Sequence, residues 1–351
     1  MNLKNKFWIN KKVLITGHTG FKGSWLSMYL NTLGAKVIGF SLPPRKDQKL
    51  FNILNIKNKI FKNYFYDILD IKKLKEVIKK NKPKIVFHLA AQSLVLNSYK
   101  NPQENFMTNL VGTVNLMEIL RKDKNVKSTI FITTDKCYKI YNLKRKYKES
   151  AELGGVDPYS ASKACAEIIV NSYNKSFFSK RDNTIATARS GNIIGGGDFS
   201  QNRIIPDIVR SIINKNKLII RNKKHTRPWL FILDTLTGYL KLAEHGFSNK
   251  KVSGAWNFGP KKSYSVNQIL QYCLKEKIIN NFKENKSFIN KETPRLMLDS
   301  TKSYSVIKWR PKLNLSKSLY YTFEWYKNYI LNKDMKIFTT QQIQKFLKNE
   351  L

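Results

Sequence analysis

Cysteine is nearly absent from this 351-residue chain, which has only Cys137, Cys165 and Cys273. An odd count at these separations fits neither a disulfide framework nor a metal site, so all three are expected as reduced packing residues. The four histidines, His18, His88, His225 and His245, show no metal spacing either, and no metal is expected. Sixteen glycines and ten prolines are too few for a fibrous or low-complexity chain. No apolar run approaches the ~18 to 20 residues that cross a bilayer, and the opening MNLKNKFWINKK lacks the apolar stretch of a secretory signal. The expectation is a cytoplasmic protein without a membrane partner. Acidic residues are scarce too, 24 against 64 Lys plus Arg, for a net charge of +40. Such an excess can attract nucleic acid. Here, however, only eleven are Arg and the cations run from Lys4 to Lys348 without forming a stripe, so no dedicated nucleic-acid partner is expected.

What is present is ample core material, 42% apolar and 12% aromatic, over a length that favours more than one lobe. Short β-branched runs at Val13 to Thr16, Lys36 to Phe40, Ile60 to Tyr66, Ile85 to Leu89, Thr129 to Thr134 and Thr184 to Arg189 alternate with amphipathic stretches. This rhythm predicts βαβ units around a buried parallel sheet. Helices are expected from Phe21 to Leu33, stopped by Gly34, from Ile71 to Lys80, from Asn101 to Lys122 and from Pro158 to Phe178. In the last, Ala166, Ile169, Val170, Tyr173 and Phe177 form an apolar stripe facing the sheet or a partner subunit. Beyond Ser190 the alternation gives way to mixed elements. Helices are expected near Ile204 to Ile213, Thr235 to Ala243, Val266 to Lys277 and Leu315 to Tyr329, with strands at Leu218 to Arg221 and Trp256 to Phe258. The stretch Lys277 to Lys291 reads as a solvated surface segment. The predicted fold is α/β, a Rossmann-type doubly wound parallel sheet over residues 1–190 with a smaller mixed lobe over 191–351, part of which can return to the first domain.

The first strand runs directly into Gly17, His18, Thr19, Gly20, Phe21, Lys22 and Gly23, and a helix follows at once. Glycines so placed allow a tight turn and let a dinucleotide pyrophosphate approach the N–H groups of the helix start. An acidic ribose partner is expected at the end of the second strand, but Ser41 stands there, followed by Pro43, Pro44 and Arg45. The choice between NAD and NADP therefore stays open at this position. Tyr159 and Lys163, four apart at a helix start, emerge on one face. Lys163 is expected to lower the tyrosine pKa so that the phenolate takes a proton from a substrate hydroxyl. Thr134, at the end of the fifth strand, can hydrogen-bond the same hydroxyl.

GHTGFKGSW (Gly17 to Trp25), HLAAQ (His88 to Gln92), TTDKCY (Thr133 to Tyr138), DPYSASK (Asp157 to Lys163), GNIIGGGDF (Gly191 to Phe199), RPW (Arg227 to Trp229) and WNFGP (Trp256 to Pro260) together resemble the extended short-chain dehydrogenases/reductases. Within that group, Asp135-Lys136 in TTDKCY, where dTDP-glucose dehydratases carry Asp-Glu, resembles the CDP-glucose 4,6-dehydratase family, as do Lys22 with Trp25, and Pro228 where many relatives have Asp. The resemblance covers nearly the full chain. It implies NAD as cofactor, held by Gly17, Thr19, Gly20, Phe21, Lys22, Gly23, Asp67, Ile68, Leu89, Ala90, Ala91, Tyr159 and Lys163. It also implies a nucleotide-diphosphate sugar, CDP-glucose, as substrate, met by Gln92, Asn192, Arg203 and Arg227, and a homodimer paired through the tyrosine-bearing helix. Arg221 and Arg310 read as surface charge.

The catalytic set is expected to be Thr134, Asp135, Lys136, Tyr159 and Lys163. Oxidation at carbon 4 of a hexose makes the carbon 5 proton acidic, Lys136 can remove it, and a protonated Asp135 can donate to the hydroxyl leaving carbon 6. Loss of water and return of hydrogen to carbon 6 would give a 4-keto-6-deoxy sugar for deoxysugar and surface polysaccharide synthesis. Two rivals use fewer of these residues. A 4-epimerase would need Tyr159 and Thr134 but neither Asp135 nor Lys136, and a dinucleotide-binding regulator without turnover would need none of them.

Overall fold

Apart from the third, which is partly exposed, the strands predicted from the β-branched runs are buried on both faces, which is why they read as nearly continuous apolar runs. In a computed structural model that describes residues 6–142, 144–285 and 293–351, they form β1 (Lys12–Thr16), β2 (Lys36–Ser41), β3 (Lys62–Phe65), β4 (Ile85–His88), β5 (Ser128–Ile132) and β6 (Thr184–Ser190). Val13 and Ile15 enter the core on one face while Leu14 enters the core on the other, and Ile85 and Phe87 are divided from Val86 in the same way. A seventh strand, β7 (Gly254–Phe258), completes a parallel sheet of order β7-β6-β5-β4-β1-β2-β3. The chain reverses direction across the sheet at β1, so a crevice opens beyond the carboxyl ends of β1 and β4.

The helices follow their local signals. Phe21–Thr32 ends beside Gly34 at φ +81°. Ile71–Asn81 is capped by Asp70, whose carboxylate accepts from Lys73 N at 3.0 Å, and stops at left-handed Lys82 before Pro83. Pro158–Tyr173 is capped by Asp157, which accepts from Ser160 N at 2.9 Å. The expected Asn101 to Lys122 helix is less regular: Val95–Lys100 precedes it, and Pro102–Phe106 passes through a wide turn at Met107–Val111 before Gly112–Lys122. The stripe on the tyrosine helix divides. Ala166 and Val170 are buried within the subunit, whereas Phe177 is exposed, together with Ile168 and Met107.

The region after Ser190 departs furthest from expectation. The predicted strand at Leu218 to Arg221 shrinks to Ile219–Ile220, which pairs with Lys283–Glu284. That second strand lies within the stretch expected to be a solvated segment, of which residues 286–291 lie outside the described residues. The Thr235 to Ala243 helix extends to Ile232–Ser248, its polar Thr235, Thr237 and Glu244 all buried. The strand around Trp256 joins the main sheet, and a helix not anticipated, Met335–Lys348, ends the chain. This helix packs on Phe21–Thr32, which is thereby covered all round: Trp25 Nε1 donates to Gly196 O at 2.9 Å, and Tyr29 shares a hydrogen bond with Thr237 at 2.9 Å. Among the described residues no helix is long and apolar enough to cross a membrane.

Gly196 lies face-on against the Trp325 ring, so a Cβ there would overlap an indole that is itself held by a 2.9 Å bond to Thr339. Gly196→Ala is expected to lower unfolding free energy by about 2 to 3 kcal/mol. Urea unfolding measures this, and an unchanged midpoint would show that the indole yields at no cost.

Candidate functional site

The glycine turn owes its shape to two close approaches. A Cβ on Gly17, which sits at φ +75°, would lie 2.6 Å from Ala90 N, and one on Gly23 would overlap Gly17 O. Gly20 differs, because a Cβ there would make only ordinary contacts, with Gly17 O at 3.5 Å and Gln48 Nε2 at 3.9 Å. The helix Phe21–Thr32 has no side chain capping its start and no acid in its first turn. Free N–H groups behind an uncrowded glycine suit a pyrophosphate, so the residues fit a dinucleotide.

A cleft of about 370 Å³ runs from this turn along the ends of β4, β5 and β6. Gly17, Phe21, Lys22, Gly23, Leu89 and Ala91 line one end of it; Thr134, Asp135, Lys136, Tyr159 and Lys163 line the middle, and Asn192, Arg203 and Arg227 line the far side. Of the remaining predicted residues, Thr19 turns its hydroxyl to Ser41 at 2.9 Å and to Leu42 O at 3.1 Å. Ala90 lies under the turn, its N–H on Thr16 Oγ1 at 3.3 Å. Asp67 accepts from Leu69 N at 2.9 Å, and Ile68 is buried against Gly112. These positions flank the cleft instead of lining it. Gln92 is held away from it by Glu104 and Asn109.

Tyr159 is buried at the helix start, its N–H on Ser98 Oγ at 3.1 Å, and its phenol hydrogen-bonds with Thr134. Burial pushes the phenol up to about 12, although the Thr134 bond and Arg203 pull the other way. The expected lowering by Lys163 is therefore not what this geometry produces. The Lys163 ammonium donates to Ile132 O at 3.1 Å, and burial brings it down to about 8. Desolvation outweighs charge at this depth. The same effect holds Asp135 above the ordinary carboxylate range, against the pull of Lys136, Arg227, the Thr134 hydroxyl and Lys22. Lys22 is lowered to about 7 by burial and by the positive charge of Arg203 and Lys163.

Several lining residues carried no signal in the sequence. Arg221 was expected at the surface but lines the cleft, as do Lys100 and His225. Arg221 and His225 fall in a stretch, RNKKHTRPW, whose cations look alike until the fold separates them. Arg310 is exposed, as expected. Lys22, Lys100, Lys136, Lys163, Arg203, Arg221 and Arg227 thus face Asp135 and Asp198 in one cleft, an excess suited to an anion with several charges.

Comparison with known proteins agrees with this geometry. A family profile described as GDP-mannose 4,6 dehydratase matches residues 14–321. A CDP-glucose 4,6-dehydratase from Salmonella typhimurium is 37% identical over 98% of both chains. Among solved structures, a UDP-glucose 4-epimerase from Thermotoga maritima superposes with TM-score 0.80 at 21% identity, covering 91% of this chain and 99% of the other. A dTDP-glucose 4,6-dehydratase from Bacillus anthracis, solved with NAD, superposes with TM-score 0.78 at 22% identity, covering 91% and 97%. At such identities the two structures speak for the fold alone. The profile and the full-length relative go further, and the chain belongs to the GDP-mannose 4,6 dehydratase family, within the extended short-chain dehydrogenases/reductases.

Proposed function

We propose that this protein is a nucleotide-sugar 4,6-dehydratase that uses NAD and converts CDP-glucose to CDP-4-keto-6-deoxyglucose. The observation that carries the reading is the pair Asp135 and Lys136, following β5 in the cleft that also holds Thr134 and Tyr159. Similarity to the Salmonella CDP-glucose 4,6-dehydratase over nearly the whole chain supports the choice of base. An epimerase would leave this acid and base without work.

NAD, which the turn Gly17 to Gly23 would hold, would supply hydride acceptance from carbon 4 and hydride return to carbon 6. Tyr159 takes the proton of the 4-hydroxyl in its phenolate form, which the Thr134 bond and Arg203 favour against burial, while Thr134 orients that hydroxyl. Lys136 removes the carbon 5 proton, made acidic by the adjacent ketone. Asp135, whose carboxyl burial raises from its ordinary value, passes a proton to the carbon 6 hydroxyl, which leaves as water. Lys136 then returns a proton to carbon 5. Arg203, Arg221 and Arg227 suit the diphosphate, and Asn192 the sugar beside it. In this reading residues 1–190 hold the dinucleotide and 191–351 the nucleotide sugar. The product class suits deoxysugar synthesis for surface polysaccharide, carried out in the cytoplasm.

Ile168, Phe177 and Met107, exposed along the tyrosine helix and its neighbour, support pairing of two copies through that face. Sedimentation at micromolar concentration is expected to give a dimer, and a monomer would remove this part of the reading.

Tyr159→Phe is expected to bind NAD normally, because the glycine turn is untouched, while turnover falls by about 10²- to 10⁴-fold. Near-normal turnover would assign the proton transfer to another group. With CDP-glucose deuterated at carbon 4, the label is expected at carbon 6 of the product without added reductant. Lys136→Met should abolish both product and the incorporation of solvent deuterium at carbon 5. If the carbon 4 label is lost to solvent, or Lys136→Met turns over normally, the dehydratase reading fails at its central step.

A further inference from the structure

The proposed dehydration restores the cofactor but not the protein. Hydride leaves carbon 4 and returns at carbon 6, and Lys136 takes and gives back the proton of carbon 5. Two transfers have no such return. Tyr159 ends with the proton of the 4-hydroxyl, while Asp135 ends without the one that left in water. Each turnover therefore shifts one proton from Asp135 to Tyr159, and the next turnover requires its return.

Thr134 stands between the two groups. Its hydroxyl donates to Asp135 Oδ1 at 3.1 Å and is the hydrogen-bond partner of the Tyr159 phenol. A threonine hydroxyl has one proton to give and two lone pairs to receive. Here the proton is directed at Asp135, and Lys136 N donates to one lone pair at 3.3 Å, leaving the other for the phenol. That arrangement has a direction: the phenol can pass its proton to Thr134 Oγ1 as Thr134 passes its own to Asp135 Oδ1. The ammonium of Lys163, on the same helix face as Tyr159, is directed elsewhere, to Ile132 O at 3.1 Å. Tyr159, Thr134 and Asp135 are all buried. A proton moved along this chain leaves the net charge of the buried pair unchanged, whereas separate exchange with solvent at either end changes it first.

We propose that the Thr134 hydroxyl is a proton relay that returns to Asp135 the proton Tyr159 takes from the sugar, resetting the site within the protein. The O–H bonds of Tyr159 and Thr134 break, new O–H bonds form at Thr134 and at Asp135, and no electron is transferred. Tyr159 is left as the phenolate and Asp135 as the acid, the forms from which the next oxidation and elimination begin. The hydroxyl that orients the substrate during oxidation thus serves the two protein groups between turnovers. The relay rests on the dehydratase reading, since an epimerase returns hydride to carbon 4 and gives the Tyr159 proton back to the same oxygen.

The test is the primary isotope effect on kcat with CDP-glucose deuterated at carbon 4, for the NAD-loaded wild type, Thr134→Val and Thr134→Ser, with NAD binding and thermal unfolding as checks on folding. Valine resembles threonine in shape but cannot relay. Its turnover is expected to fall by about 10²-fold, with the isotope effect close to unity because proton return, not hydride transfer, becomes the slow step. Imidazole, a small proton carrier, should raise that turnover about tenfold at constant pH and bring the isotope effect back. Serine keeps the hydroxyl and should show neither behaviour. A Thr134→Val enzyme that retains a full isotope effect and ignores imidazole has lost only the orientation of the 4-hydroxyl, and the relay is overturned; the same holds if serine behaves as valine does. The wild type gives a check without substitution. From CDP-6-chloro-6-deoxyglucose chloride departs without a proton, Asp135 keeps its own, and the Tyr159 proton must leave to solvent. Imidazole should then accelerate turnover of the chloro sugar by about twofold or more and leave that of CDP-glucose unchanged. The same response for both sugars would overturn the relay. A wild type that dehydrates none of CDP-, dTDP-, UDP- or GDP-glucose would instead overturn the dehydratase reading, and the relay with it.

Discussion

Arg189 and Glu167 form an ion pair at 2.7 Å with both side chains almost fully enclosed, and the architecture of the site is arranged around it. Glu167 belongs to the tyrosine helix and Arg189 to β6, so the pair fixes the helix against the sheet. Thr133, at the end of β5, and Thr187, on β6, donate to the same carboxylate. Arg189 also reaches Tyr138 Oη at 2.8 Å and Glu149 O at 3.0 Å, and Tyr138 donates to Asn257 on β7 at 2.7 Å. Burying two such ions costs several kcal/mol each, and that cost is offset where neighbouring hydrogen bonds serve the charges, as they do here for all but Arg189 Nε. One network thereby ties β5, β6, β7 and the helix into a frame, and Thr134, Asp135 and Lys136 leave β5 from that frame at a defined height above Tyr159.

The frame explains why the grouping of Thr134, Asp135, Lys136, Tyr159 and Lys163 in one cleft was legible in the sequence. Thr133, Thr134, Asp135 and Lys136 are consecutive, and Tyr159 and Lys163 are one helical turn apart, so local geometry alone sets most of their relation. The glycine turn was legible for a similar reason: Gly17 and Gly23 are required by contacts with Ala90 and with the turn itself. Strands β1, β2, β4, β5 and β6 announced themselves because both faces of each are largely buried, so apolar and β-branched residues follow one another even where Thr187 and Arg189 interrupt β6, whereas β3 is partly exposed.

What stayed hidden depends on tertiary contacts with no local periodicity. Strands of two residues, such as Ile219–Ile220 and Thr226–Arg227, are too short to show alternation, and they hold the far wall of the cleft. Arg221 cannot be told from the lysines around it until that wall forms. The helix Met335–Lys348 went unread because its buried positions include Thr339 and Gln342, polar residues whose place inside is secured by bonds to Trp325 and Tyr321 O. The pKa of Tyr159 was misjudged because spacing shows that Lys163 shares its face but not that Ile132 O holds the ammonium, nor how deeply both lie.

The charge of +40 invites a reading at long range, yet its effect on chemistry is local. Exposed lysines more than about 8 Å apart are largely screened from one another at physiological ionic strength. Inside the cleft the same charges act across low-dielectric surroundings, where Lys22 is lowered by burial first and by Arg203 and Lys163 besides, and in turn pulls on Asp135. Cations placed there attract a diphosphate and at the same time work against the one acid that dehydration needs. A cleft that does both must separate the two effects by solvation, not by distance, since the phosphates and carbon 6 belong to the same small molecule. Burial and the positive lining thus act on Asp135 in opposite directions within one cleft, and burial sets the net direction.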